Sequence, residues 1–372
     1  MNYKTFILIF ALFLVTGFHH QQPINDEPLF FSMGDEWKDI VKDVPVFNFK
    51  AKSLDSSYTT HVAQEVRLLS NSKKQPVLFF SDIETAVCAD GECKLANLKI
   101  YWNLLGNYVG FGIDPDLPLT KFEHDVFETE DYAKLHELLL DEHSILKRRK
   151  MSDLIDTVYV SPSNLFSKNI DAVSGATKAE IKESVVKGGL YSCYTLWHIV
   201  HGEVKEKMKT YIDSIHSDEL ITYFLDSPYR DYQQYALKQI TAKDYEKHIE
   251  SILQIFKTND ALTRAYILKK IPDSLFSDQK VSTEVYQTFP NIDVNTRTLL
   301  IKRIAYANAI AVEILSESLE DMTKNQLKFY LNYLEKIPAK IDKKIEFNLI
   351  KTSKNQDYTY SYLIKKYLKN KK

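Results

Sequence analysis

The stretch Asp171-Ala-Val-Ser-Gly-Ala-Thr177-Lys-Ala-Glu180 places two hydroxyls, a glycine and two acids just ahead of a long helical pattern. Two kinds of chemistry suit it. The plainer is helix capping. Thr177 and Glu180 have the spacing of a capping box, in which the threonine oxygen accepts an orphan backbone N–H and the glutamate reaches back, while Gly175 supplies a sharp turn. The other is retention of a cofactor. Capping accounts for Thr177 and Glu180 but leaves the joint presence of Asp171, Ser174, Gly175 and Ala176 unexplained.

Other residues able to do chemistry are few. Cys88 and Cys93 bracket Ala-Asp-Gly-Glu between two strand-like runs. Asp-Gly is a hairpin signal, and the flanking positions come within disulfide reach, so a structural Cys88–Cys93 bridge is expected in an oxidising compartment. Cys193, within an apolar helical run, reads as a buried small hydrophobe. His198 and His201 stand three apart on one face but lack a third ligand nearby, as do His124, His136 and His143. Tyr191, Tyr194 and Trp197 offer either an aromatic wall for a ring or plain core. No nucleophile elbow, zinc-protease helix, phosphate loop or haem-attachment motif occurs.

The motif Asp171-x-x-Ser174-Gly175-Ala176-Thr177 resembles the D-x-x-S-G-A-T signature of the FMN-binding domain family. That resemblance implies an α+β fold and FMN linked through its phosphate to Thr177 by a flavin transferase, with Asp171, Ser174, Gly175 and Ala176 as recognition positions. A helix N-terminus offers free N–H groups and a positive dipole end to a phosphate, which agrees with it. Lys178 follows the threonine where modified members carry a small hydroxyl or apolar residue. Of the family's upstream glycines, only Gly106, Gly110 and Gly112 have counterparts.

These residues need a scaffold, and the chain supplies two of different grammar. All ten glycines, three tryptophans and three cysteines lie at or before Gly202. In that half, strands are expected at 44–50, 77–87, 96–102, 108–113 and 156–160, and helices at 129–140, with Thr129 as N-cap, and from about 178 to 208. From Glu203 onward a pattern of apolar, two polar (mostly basic), apolar recurs: Leu237–Ile240, Leu268–Ile271, Ile301–Ile304, Leu334–Ile337 and Ile364–Tyr367. A period of roughly 30 to 34 residues with two helices per unit predicts an α-solenoid, loosely similar to HEAT-type repeats. The basic residues within it are read as complements to helix dipoles; a stripe for an anionic partner is the alternative, interrupted by Glu335.

Lys4, the apolar run from Phe6 to Val15 and the small residues up to Gly17 predict an export signal. The resulting plan is 1–17 signal, 18–76 an extension partly packed on the next domain, 77–205 an FMN-binding-like α+β domain, and 206–372 helical repeats. The mature protein is expected outside the cytoplasm, periplasmic or extracellular, with no membrane span. A net charge of −2 argues against nucleic acid, and the basic cluster read from the sequence, the terminal KKYLKNKK, suits a solvated helix end. The functional expectation is an electron carrier with a redox partner and a protein partner docked on the repeats. The alternatives are a non-redox scaffold whose first domain lost its cofactor, and a small-ligand receptor.

Overall fold

The structure, a computed structural model, describes residues 30–33, 38–50, 63–87, 95–121, 124–150, 154–156, 176–177, 179–337 and 341–371. The expected export signal, Cys88, Cys93, Asp171, Ser174 and Gly175 lie outside them. The chain divides into two compact units, Met1–Ile215 and His216–Lys372.

The first unit is built on an antiparallel sheet of β1 (Phe30–Phe31), β2 (Ile40–Lys50), β3 (Ala63–Asn71), β4 (Pro76–Thr85), β5 (Ala96–Trp102) and β6 (Tyr108–Gly112), in the order β1-β6-β5-β4-β3-β2. Alternation sorts its side chains. Phe79 faces Trp102 and Ile83 faces Leu98 across β4 and β5, all buried. On the opposite face Leu69, Leu78, Phe80, Tyr101 and Val109 cluster beneath Phe31, Met33 and Ile40. Pro45 is tolerated because β2 is an edge strand and the register slips between Pro45 and Phe47. Three strands thus come from residues 18–76, where one strand, at 44–50, and an extension partly packed on the next domain were expected. They hold apolar alternation of their own and complete the sheet.

At the other edge β1 rides directly over Gly110. A Cβ there would lie 2.4 Å from the Phe30 carbonyl oxygen and 2.5 Å from Phe31 Cδ2. Gly110→Ala is therefore expected to push β1 off β6 and cost about 2 kcal/mol, read as a lower urea midpoint of tryptophan fluorescence.

Helices α1 (Thr129–Leu140), α2 (Ala179–Lys182), α3 (Leu190–Val200) and α4 (Glu203–Ser214) follow, with a short two-stranded pairing of β7 (Ile155–Asp156) and β8 (Ala176–Thr177). The N-cap of α1 is Glu128, reciprocated by Asp131 in a capping box, one residue before the expected Thr129. The single helix expected over 178–208 is three. Gly188 sits at φ +75°, a Cβ on Gly189 would come 2.9 Å from Phe127 Cζ, and one on Gly202 would come 2.3 Å from the His198 carbonyl oxygen. These glycines make two sharp corners that a continuous helix could not turn. The expected boundary after 205 falls inside α4, whose Val204, Met208 and Ile212 are buried. Tyr211 of α4 stacks edge-on to Phe79, centroids 6.0 Å apart, so the helix belongs to the sheet domain.

The second unit is helical throughout its described residues: α5 (Asp218–Asp226), α6 (Arg230–Gln239), α7 (Asp244–Lys247), α8 (Ile249–Thr258), α9 (Ala261–Lys270), α10 (Asp273–Phe276), α11 (Gln279–Tyr286), α12 (Val294–Lys302), α13 (Ala309–Glu317), α14 (Lys324–Lys336), α15 (Lys343–Lys354) and α16 (Ser361–Asn370), with short 3₁₀ turns between some of them. Helices α5, α8, α11, α13 and α15 pack one on the next as a first row. Helices α9, α12, α14 and α16 do the same as a second row, which α6 opens by pairing with α5. The five sequence anchors all fall on the second row. Leu237, Leu268, Ile301 and Leu334 are buried in the last turns of their helices, and Ile364 is buried in the first turn of α16.

A sharper repeat lies at the other end of these helices. Asp260 caps α9 by accepting the Thr263 N–H at 2.8 Å, and Asp293 caps α12 by accepting the Thr296 N–H at 2.9 Å. The next residue is an arginine in each case. Arg264 lies 3.7 Å from Asp293, and Arg297 donates to the Asp321 carbonyl at 2.9 Å, so each repeat reaches for the cap region of the next. Among the described residues no helix is long and apolar enough to cross a membrane.

Candidate functional site

Two of the five motif residues are described. Ala176 and Thr177 form β8, with Thr177 opposite Ile155 and Asp156 opposite Ala176. Thr177 therefore has extended backbone, and α2 begins two residues later at Ala179. A capping box centred on Thr177 would need the helix to start at the next residue, so the helix begins one position too late for it. Helix α2 is a single turn of four residues. So few aligned peptide dipoles give little of the macrodipole that a long helix would direct at a phosphate.

Helix α3 presents the residues weighed as a ring wall or a metal pair. Three of them bond main-chain carbonyls at and beyond the end of α1. Tyr194 Oη donates to the Arg149 carbonyl at 3.0 Å, Trp197 Nε1 to the Asp141 carbonyl at 2.9 Å, and His201 Nε2 to the Leu139 carbonyl at 2.9 Å. His198 lies against the Leu146 backbone. From the sheet, Trp102 Nε1 donates to the Val200 carbonyl at 3.1 Å, fixing the end of the same helix. This face is a clamp on main-chain carbonyls, which the aromatic spacing alone did not reveal. Burial lowers the pKa of His198, and lowers that of His201 to about 4 against the opposing pull of its Leu139 bond and Glu142. Both rings are neutral at pH 7. Among the described residues no group of three or more His, Cys, Asp or Glu side chains could hold a metal ion.

His136 is likewise part of the core. Its ring stacks on Phe30 at 5.4 Å and its Nδ1 shares a hydrogen bond of 2.8 Å with Tyr108 Oη. Burial raises the Tyr108 pKa and lowers that of His136, so both groups stay neutral at pH 7. Cys193 is fully buried, its thiol pushed up to about 12 by desolvation, which removes it from nucleophilic chemistry.

The clamped segment also carries a strongly charged feature. Ser144 caps a 3₁₀ turn at Ile145–Arg148, with its Oγ accepting the Leu146 N–H at 3.4 Å. This turn and the residues flanking it border a cleft of about 720 Å³, lined by His143, Ser144, Ile145, Lys147, Arg148 and Arg149. Lys147 and Arg148 are exposed. The sequence signal for this feature is the run Lys147-Arg-Arg-Lys150, four consecutive cations, rather than the terminal basic cluster. A cleft of this size bordered by cations suits an anionic small molecule. No family model, no curated protein and no solved structure matches this chain.

Proposed function

We propose that the protein is an exported electron carrier that holds FMN covalently on Thr177, with its helical array serving to dock a protein partner. The observation that carries the reading is the coincidence of Asp171, Ser174, Gly175, Ala176 and Thr177 in the order of a flavinylation signature. The basic cleft supports it in part: its volume and its cations, Lys147 and Arg148 foremost, suit the phosphate of such a group. The wall for the ring finds no such support on α3, where Tyr194 and Trp197 are committed to carbonyls. When bound, flavin supplies one- and two-electron transfer; the chain's own share is anchoring the phosphate and excluding water.

The test is direct. The chain is exported from cells that also make a flavin transferase, purified, and examined by absorbance and intact mass. Oxidised flavin absorbing near about 450 nm, with a mass increment that Thr177→Ala abolishes, is the expected result. A colourless, unmodified chain would leave the non-redox scaffold, in which the first unit is an empty relative and only the array binds.

A further inference from the structure

The two rows of the helical unit carry opposite electrostatic characters. On the first row, six exposed cations are matched by six exposed carboxylates. Lys257 pairs with Glu284, Lys280 with Glu250, and Lys344 with Glu313 and Glu317. On the second row, eleven exposed lysines and arginines meet a single exposed carboxylate, Glu335. Among the described residues only Arg230 of these eleven has a carboxylate within 4 Å, Asp260 at 3.9 Å.

Helix dipoles do not explain the difference. They would draw cations to the C-terminal turns of both rows alike, yet α5, α11 and α13 have no basic residue in their last turns. Lys324 and Lys328 lie in the N-terminal part of α14, the end where a cation is unfavourable.

The same helices expose large apolar side chains. Leu262 on α9 is 83 % exposed, Leu299 on α12 is 36 % exposed and Phe329 on α14 is 48 % exposed. Lys302 Nζ stands 5.9 Å from the centre of the Phe329 ring, spanning adjacent helices. A lysine over the ring keeps that face polar, which suits a protein segment bringing carboxylates better than it suits insertion into acyl chains.

We infer that the outer face of the second row binds an extended acidic segment of a partner protein in which an apolar residue recurs among carboxylates. Helices packed 8–10 Å apart are spanned by roughly three residues of chain in polyproline-II geometry, which rises about 3.1 Å per residue with three residues to a turn, so one apolar residue in three would meet each helix in turn from the same side. This rests on the docking role proposed for the array and names its surface and the chemistry of its partner.

The probe is a fluorescein-labelled peptide of about 15 residues repeating Glu-Glu-Phe, long enough to cross the row at roughly 3.1 Å per residue in polyproline-II geometry. It is titrated against the full chain by fluorescence anisotropy. The triple variant Lys269→Glu, Lys270→Glu, Lys302→Glu is expected to weaken binding about tenfold or more, and added salt to weaken the parent's binding. The first-row control Lys351→Glu, Lys354→Glu is expected to leave it unchanged. All five lysines are exposed, so far-UV circular dichroism should match the parent in both variants. Equal losses in the two variants, or no binding of the peptide by the parent, would overturn the inference. So would binding to phosphatidylserine vesicles without binding to the peptide, which would make the face a membrane contact. Thr177 is untouched in every variant, so flavin content is read independently and either reading can fail alone.

Discussion

Replacing Arg303 with alanine is expected to destabilise the helical unit by about 4 kcal/mol, since charge-assisted hydrogen bonds and a buried cation–π contact are lost together. Arg303 follows α12 and reaches back to the end of α9. Its guanidinium donates to the Leu268 carbonyl and, at 3.3 Å, to the Ile271 carbonyl. It also pairs with Asp273 and lies 4.4 Å above the buried Phe276 ring. The last carbonyls of a helix have no partner within it, so this arginine closes α9 from the next repeat. Removing it leaves those oxygens facing a void beside an apolar ring. Arg303→Lys should recover less than half of the loss, because an ammonium cannot fork between two carbonyls and stack at once. Urea titration followed by far-UV circular dichroism measures both, and a loss below about 1 kcal/mol for alanine would show the contacts to be incidental.

The second large effect is on acid stability. His201 titrates near 4 in the folded chain, held neutral by burial, and at its ordinary value of 6.5 when unfolded. Above pH 6.5 neither state takes the proton and the full stability is present. Between 6.5 and 4 the unfolded state takes it and the folded state does not, so stability falls as the medium is acidified. Below 4 the loss is complete. His201 alone contributes on the order of 3 kcal/mol to that decline. Burial shifts His198 and His136 in the same direction. Trp197 lies 4.6 Å from the His201 ring, so tryptophan fluorescence reports the loss at the site itself. His201→Gln keeps an N–H for the Leu139 carbonyl without a titrating ring, and should flatten the slope between pH 6.5 and 4. An unchanged slope would sink the assignment.

The second unit was more legible in the sequence than the first. Four of its five anchors end helices, the fifth, Ile364, lies in the first turn of α16, and the structure places all five buried on one row. The Asp-x-x-Thr-Arg signature at 260–264 and 293–297 escaped notice, since only two copies keep it and its meaning lies in contacts between repeats. In the first unit, β4, β5, β6 and α1 were readable from alternation and period. Strand β3 was not: Glu65 and Arg67 interrupt its apolar run, and Arg67 is satisfied by Asp43 at 2.6 Å on β2, a partner remote in sequence. The single long helix after the motif was misjudged because apolar spacing carries on through Gly188 and Gly202, where the backbone turns. For the candidate site, the sequence offered α3 as an aromatic surface, but hydrogen bonds to carbonyls more than forty residues away decide what those rings do.

In the helical unit, packing joins each pair mainly to the pairs beside it. Such an array is mechanically compliant along its length. Small rotations at successive junctions add up, so the distance between the first and last helices changes while every individual junction stays close to its rest geometry. A ligand whose repeat is slightly longer or shorter than the helix spacing can then be matched by stretching the array, with the misfit shared among all junctions.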